Sequence, residues 1–276
     1  MRQLGRSLGV SLLDRYWWLA QRGPRRKPLP VGPYWWKRQQ KAEWTPDRLG
    51  STMIEMWDAE DAAKFTLSGA EVTAWAGSKL GLSMAQADPT RRPTYGATSF
   101  NGRPGVSFEE APGDCLEVLA PPFPIGSAPC ELWVLMSQDL TPAEAGTRRL
   151  FSYGDATNTG RDITRTAGNR VEAQVGTGVA RPNVTGTQYD FSGRHVARAV
   201  FGAAATSVYL DGLLDVTSPQ VPATVATRAR IGASSQAEVP FGFAKGVFNM
   251  AAITGPMTDG EAAEFTAYLK RRGGIA

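Results

Sequence analysis

The sequence predicts an all-β body, an antiparallel two-sheet sandwich closed by one short C-terminal helix, with a distinct N-terminal arm in front of it. Three observations carry this. From about Ser51 onward, short apolar runs alternate with clusters of Gly, Pro, Asn and Asp, the pattern of strands separated by turns. Gly 30 and Pro 19 in 276 residues favour turns over long helices, while 42% apolar residues suffice for a full core. Residues 1–50 differ from the rest: they hold 11 Lys+Arg against 3 Asp+Glu, and five of the 8 Trp. The remaining residues hold 19 Lys+Arg against 23 Asp+Glu, so a basic arm precedes a mildly acidic body.

The arm, residues 1–50, comes first. Leu4, Leu8, Leu12 and Tyr16 recur at helical spacing, with Gly5 and Gly9 weakening the pattern. Gly23 to Pro33 is proline-rich and reads as an extended spacer. Tyr34-Trp35-Trp36 then echoes Tyr16-Trp17-Trp18. Exposed aromatic surface is costly in water, so these six aromatics are expected to be covered by a partner. Docking to a protein assembly, packing on the chain's own body, and contact with a membrane surface or nucleic acid all remain open for them.

Eleven strands follow in order: Met53–Trp57, Val72–Trp75, Gly105–Phe108, Cys115–Val118, Glu131–Ser137, Arg149–Tyr153, Arg170–Val175, His195–Phe201, Ser207–Leu210, Ala229–Ile231 and Gly246–Ala252. Asp211-Gly212 between two apolar runs predicts a two-residue hairpin turn, because both turn residues need positive φ. The last element is helical. Thr258 is a candidate N-cap with Glu261 as its capping-box partner, Phe265, Tyr268 and Leu269 share a face, and Gly273-Gly274 ends it.

The segment Gly193 to Phe201 followed by Val208-Tyr209-Leu210-Asp211-Gly212 resembles the paired strands of laminin-G-like and concanavalin-A-like jelly rolls. Ala229 to Ala233, Phe243 to Phe248 and the terminal helix fit the same order, as do Trp57 to Asp61, Val72 to Trp75, Arg92 to Tyr95 and Asn101 to Phe108. The resemblance spans about residues 52–272, is of the kind found in phage and phage-like particle proteins, and leaves the arm without a counterpart. It implies an antiparallel concanavalin-A-like jelly roll over residues 51–276, with carbohydrate binding as its common task.

Sugar binding needs an aromatic platform and planar polar groups on rim loops. Phe151 to Asp162 has that composition and offers Tyr153, Asp155, Asn158 and Arg161; Arg181 to Asp190 offers Asn183 and Tyr189. Calcium is possible, since relatives use loop acids and carbonyls; Asp155, Asn158, Asp162 and Asp190 are loop candidates. Some relatives are glycoside hydrolases, which need two carboxylates on one strand face. The nearest run, Glu55-Met56-Trp57-Asp58-Ala59-Glu60, has Trp57 where an Asp belongs, and Glu109-Glu110 would point to opposite faces. His195 is placed as a packing or hydrogen-bonding residue, and no nucleophile elbow occurs. No catalytic residue, and no enzyme activity, is therefore expected. Cys115 and Cys130 are either a disulfide or buried free thiols; they are too few for a thiolate zinc site.

The phosphate-loop and dinucleotide motifs are absent and no ordered basic-aromatic spacing supports a nucleic-acid partner, so none is the leading expectation; no run of about 18 apolar residues exists to span a membrane. A lectin-like body without a secretory signal, carrying a basic Trp-rich arm, suggests a virion protein made in the host cytoplasm: a head fibre or spike, a decoration protein or a tail-fibre component. The arm would dock through Tyr16, Trp17, Trp18, Tyr34, Trp35 and Trp36 on a capsid or tail protein, and a homo-oligomer would present the body to host polysaccharide. A glycan-active hydrolase on the same fold and a purely structural cement protein are the alternatives.

Overall fold

The computed structural model describes residues 43–111, 113–138, 147–155, 158–187, 193–235, 240 and 242–276. The docking aromatics of the arm, Tyr189 and Asp190 lie outside them. The described chain folds as β1 (Met53–Asp58), β2 (Phe65–Ser68), β3 (Glu71–Ala76), β4 (Ser83–Ala85), β5 (Thr94–Phe100), β6 (Arg103–Phe108), β7 (Leu116–Leu119), β8 (Cys130–Gln138), β9 (Arg148–Gly154), β10 (Arg161–Arg165), β11 (Val171–Val175), β12 (Asn183–Thr185), β13 (Gly193–Phe201), β14 (Thr206–Leu210), β15 (Leu213–Ser218), β16 (Arg228–Ile231), β17 (Gly246–Thr254) and α1 (Asp259–Gly273). Every pairing is antiparallel.

The pairings fall into two runs. In the first, β15, β14, β13, β8 and β17 pair in succession, and β17 carries β6 on its first half and β1 on its second. In the second, β12, β11, β10, β9, β16 and β7 pair in succession, and β4, β3 and β2 continue from β7. The pair Glu71–Thr94 between β3 and β5 links the runs.

Two-residue alternation sorts the side chains. Leu132, Val134 and Met136 of β8 join a large cluster with Trp57, Trp75, Phe151, Ile163, Ala173 and Val208, so both runs feed one core. Trp133 and Leu135, pointing the other way, join Val196, Met250 and Ala252 in a second cluster closed by Phe265 and Leu269 of α1. Trp44 and Leu49, which the sequence assigned to the arm, also lie in this second cluster, and the Trp44 ring sits 5.7 Å from both Phe265 and Tyr268. Each large apolar side chain so buried is worth roughly 1.5–3 kcal/mol over exposure.

The local signals act as expected. Thr258 and Glu261 form the reciprocal capping box, and Gly274 closes the helix in the left-handed region at φ 60°. Asp211 and Gly212 both have positive φ, 53° and 88°, in the β14–β15 turn. Cys115 and Cys130 are buried free thiols. Six strands are missing from the eleven read in the sequence: β2, β4, β5, β12, β15, which it reached only as the far side of the Asp211-Gly212 turn, and β10, which it read as a loop.

Candidate functional site

The second run builds a polar row. In β10 and β11 alternate residues, Ile163 and Ala173 among them, enter the large cluster, which leaves Asp162, Thr164, Glu172 and Gln174 on the opposite face. Register aligns them with their neighbours. Asn183 stands opposite Gln174, Gln174 opposite Asp162, Asp162 opposite Ser152, Ser152 opposite Arg230, Arg230 opposite Glu117, and Glu117 opposite Ala85. Six strands thus contribute one transverse line of hydroxyls, amides and charges.

Between its two ends the row is buried and closely bonded. Asp162 is 0% exposed. It accepts from the Ser152 hydroxyl and, at 2.6 Å, from the Arg181 guanidinium, with Arg149 Nε 3.8 Å away. Arg149 donates at 2.9 Å to Gln174 Oε1, and Gln174 donates at 3.2 Å to Glu172. Glu172 also accepts from Thr185 at 2.5 Å and Thr164 at 3.2 Å. Ser152 and Ser235 share a 2.7 Å bond. Burial lowers the pKa of Arg149, with Asp162 opposing the shift.

At the Glu117 end the row opens into a cavity of about 440 Å³, lined by Gln86, Asp88, Arg91, Cys115, Glu117, Leu119 and Arg230 among others. Glu117 Oε2 accepts from Arg230 Nε at 2.6 Å and lies 3.8 Å from Arg228. Arg230 also donates through Nη1 to Ser234 O at 2.6 Å; burial lowers its pKa and Glu117 counters. The Gln86 amide donates to Cys115 O at 3.0 Å and to its Sγ at 3.2 Å. Burial pushes the Cys115 thiol up to about 11. Two hydrogen bonds from Thr90 hold the Asp88 carboxyl below the usual range.

Among the described residues, the sugar residues expected from sequence are not brought together. Tyr153 and Arg161 are fully buried, so neither presents a surface to a ligand. They are a cross-strand pair on the core side of the pleat. Tyr153 donates to Pro124 O, and Arg161 bonds Thr224 Oγ1, Ala128 O, Gly126 O and Cys130 Sγ beneath the Tyr153 and Phe201 rings. Asp155 is exposed at the end of β9, and Asn158 donates to Val179 O at 3.2 Å. Asn183 alone reaches the polar row, as its exposed outer member. Of the calcium candidates, Asp162 is a strand residue already bonded to Arg181 and Ser152, and among the described residues no three acids, histidines or cysteines converge as a metal site.

The acids of the hydrolase-like run are structural. Glu55 accepts from the backbone N–H groups of Met56, Lys79, Leu80 and Leu82 at 2.7–3.1 Å and so anchors that loop. Gly77 is required beside it, since a Cβ there would lie 2.2 Å from Glu55 Cδ. Asp58 takes both Arg272 amino groups, and Glu60 pairs with Arg103 at 2.7 Å. His195 Nδ1 meets Asp211 Oδ2 at 2.7 Å, as expected for a hydrogen-bonding residue on a strand.

The sequence passed over Gln86, Arg91, Glu117 and Arg230. The alternation Arg228-Ala229-Arg230-Ile231 was the available signal: one strand face of it is cationic.

No family model matches the chain, and no curated protein matches it. Solved structures do. Trypanosoma rangeli sialidase in complex with sialic acid is 12% identical, with 80% of this chain and 33% of that chain covered and a TM-score of 0.50. The CBM40 of Ruminococcus gnavus IT-sialidase bound to α2,3-sialyllactose is 12% identical, covering 59% and 96%, at a TM-score of 0.48. NanB sialidase from Streptococcus pneumoniae is 11% identical, covering 50% and 24%, at 0.42. The chain spans a quarter to a third of the sialidases it matches. The likeness is one of β fold. It corrects the expectation that this protein is not an enzyme: the fold is shared with a sialidase, so it gives no ground for setting enzyme activity aside.

Proposed function

We propose that this chain is a glycan-binding or glycan-active β domain whose working surface is the cavity at the Glu117 end of the polar row, with the buried part of the row holding that end in place. Two pairing runs around one core cluster support reading the fold as a concanavalin-A-like jelly roll, in which such a face is a layer surface. One observation carries the functional reading. A sheet face holds Asp162, Ser152, Glu172, Gln174 and Arg230 at 0–7% exposure, where apolar residues would be cheaper to bury, and this face leads into an open cavity with charged side chains in its lining. Retention of so many buried charges beside a cavity of ligand size fits a site preorganised for a polar, hydroxyl-rich ligand. That the fold is shared with a sialidase seen with sialic acid is consistent with this.

The test is a panel of oligosaccharides presented to the full chain, with binding read by calorimetry and cleavage by release of reducing ends. At least one glycan should bind or be cleaved, and Glu117→Gln should weaken that at least tenfold. Absence of both signals across the panel, or a Glu117→Gln protein equal to wild type, contradicts the proposal.

A second reading concerns residues 1–50. Their excess of Lys+Arg and five Trp support attachment of the domain to a larger assembly, with the chain serving as a virion head-fibre, decoration or tail-fibre component. Mass spectrometry of purified particles, with full-length chain and a chain lacking residues 1–42, tests it. Only the full chain should copurify; equal retention of both contradicts attachment through the arm.

A further inference from the structure

We infer that α1 and the β14–β15 hairpin form a docking face for a second copy of this chain, whose own α1 lies antiparallel across a twofold axis. Between helix and hairpin runs a groove of about 420 Å³. Ala263, Thr266 and Ala267 of α1 wall one side of it, and Tyr209 and Leu213 of the hairpin line the other. Leu213 is 56% exposed and Leu214 beside it 51%, so the hairpin leaves two large apolar side chains in water. The outward stripe of α1 is Gly260, Ala263, Glu264, Ala267 and Arg271, all exposed. Its small side chains let another helix approach closely.

Charge names the occupant. The inward charges of α1 are used within the chain: Glu261 bonds Thr258 in the cap, and Arg272 bonds Asp58. The outward ones are not. Among the described residues the side chains of Asp259, Glu264, Lys270 and Arg271 make no hydrogen bond or ion pair. A solvated helix that stabilised itself would set acids and bases three or four residues apart. None of these four has an opposite charge at those spacings: Glu264 is followed there by Ala267 and Tyr268, and Lys270 is preceded by Thr266 and Ala267. The helix dipole accounts for an acid in the first turn and bases in the last. It does not account for Glu264, in the middle of the helix.

Two acids in the first half of the outward face and two bases in the second make α1 complementary to itself when two copies run antiparallel. With the axis at the level of Phe265, Ala263 faces the partner's Ala267 and Asp259 faces the partner's Arg271. Glu264 then comes within one turn of the partner's Lys270. Each pairing occurs twice, the reciprocity that a twofold axis imposes. Parallel helices would set like charges side by side instead. The partner's helix also covers the groove, and with it the exposed Leu213.

Analytical ultracentrifugation of the full chain over a concentration series tests this. A monomer–dimer equilibrium is expected. Asp259→Lys with Glu264→Lys makes the face wholly basic, and Lys270→Glu with Arg271→Glu makes it wholly acidic. Each variant alone should associate at least tenfold more weakly than wild type, and the two mixed should regain the dimer. That recovery separates lost complementarity from lost fold, because unfolded chains cannot pair. Ala263→Arg keeps a good helix former and should weaken association as much, by crowding the axis. A wild-type chain that is monomeric at every concentration, or an assembly of another order, overturns the inference. So does a dimer that survives the reversals, as association through the arm or a strand edge would, and so does a mixture of reversed chains that stays monomeric.

Discussion

The two strand runs present contrasting outer faces, and the contrast locates the site. On β8, β13 and β17 the residues turned away from the large cluster are Trp133, Leu135, Val196, Met250 and Ala252, and α1 seals them with Phe265 and Leu269. On β7, β16, β9, β10 and β11 the corresponding residues are Glu117, Arg230, Ser152, Asp162 and Gln174. Both sets are largely buried. The first is what stability alone selects: apolar surface removed from water at about 25 cal/mol per Å². The second gives up that gain and needs hydrogen bonds and ion pairs merely to offset desolvation. Two arginines of β13 turn to the helix side, and each is tied to protein groups; Arg194 donates to Gly273 O. Arg198 lies 4.8 Å from the Trp133 ring and 4.6 Å from the Tyr209 ring and gives Nε and Nη2 to Glu131, at 2.9 and 3.0 Å.

Mutations on the two faces should sharpen this difference. The largest expected effects are losses of stability. Phe265→Ala should cost about 3–5 kcal/mol in denaturant unfolding, because it empties the helix-covered cluster. Asp162→Asn should cost about the same, because it leaves Arg181 and Arg149 buried without their acid. The faces part at the next step: joint replacement of Asp162 and Arg181 by leucines should restore part of the stability, since only Arg149 then lacks its nearby acid and it keeps its bond to Gln174. A joint variant as unstable as Asp162→Asn would mean the polar face is packed for stability rather than kept for chemistry.

Smaller effects follow. Thr258→Ala removes the cap of α1 and should cost about 1 kcal/mol. Asp114 lies close to the cavity, next to Cys115, and accepts from the Glu109 N–H at 2.9 Å. Burial raises its pKa to about 6, above the roughly 3.9 of an unfolded Asp. Between these values the folded state holds more protons than the unfolded one. This group's contribution to stability is therefore present at low pH and is lost as pH rises from about 4 to about 6. Asp114→Asn should remove that decline from the pH–stability curve, and an unchanged curve would place the slope elsewhere. Arg91→Gln should be the smallest stability change, within about 0.5 kcal/mol in denaturant unfolding, because that side chain is 31% exposed.

Much of the fold was legible because its signals are local. The continuous apolar run of β8, the Asp211-Gly212 turn and the Thr258–Glu261 box each lie within a few residues of sequence. The site was less legible for two physical reasons. In β10 the single apolar residue Ile163 is flanked by charged and polar residues, so the alternation is hidden; Arg161 turns inward because neutral oxygens and a thiol satisfy it. That same parity buries Tyr153, which the sequence offered as a sugar platform. The cavity joins Ala85, Glu117 and Arg230 through strand register, and register between segments so far apart is not written in one sequence.

Hydrogen–deuterium exchange on the full chain, with and without a saturating glycan from the panel, tests the central claim most directly. The account expects protection concentrated at Leu116–Leu119, Arg228–Ile231 and the Gln86–Arg91 turn, with Asp259–Gly273 unchanged. Protection confined to α1 and the β14–β15 hairpin, with the Glu117 strand unaffected, would contradict it.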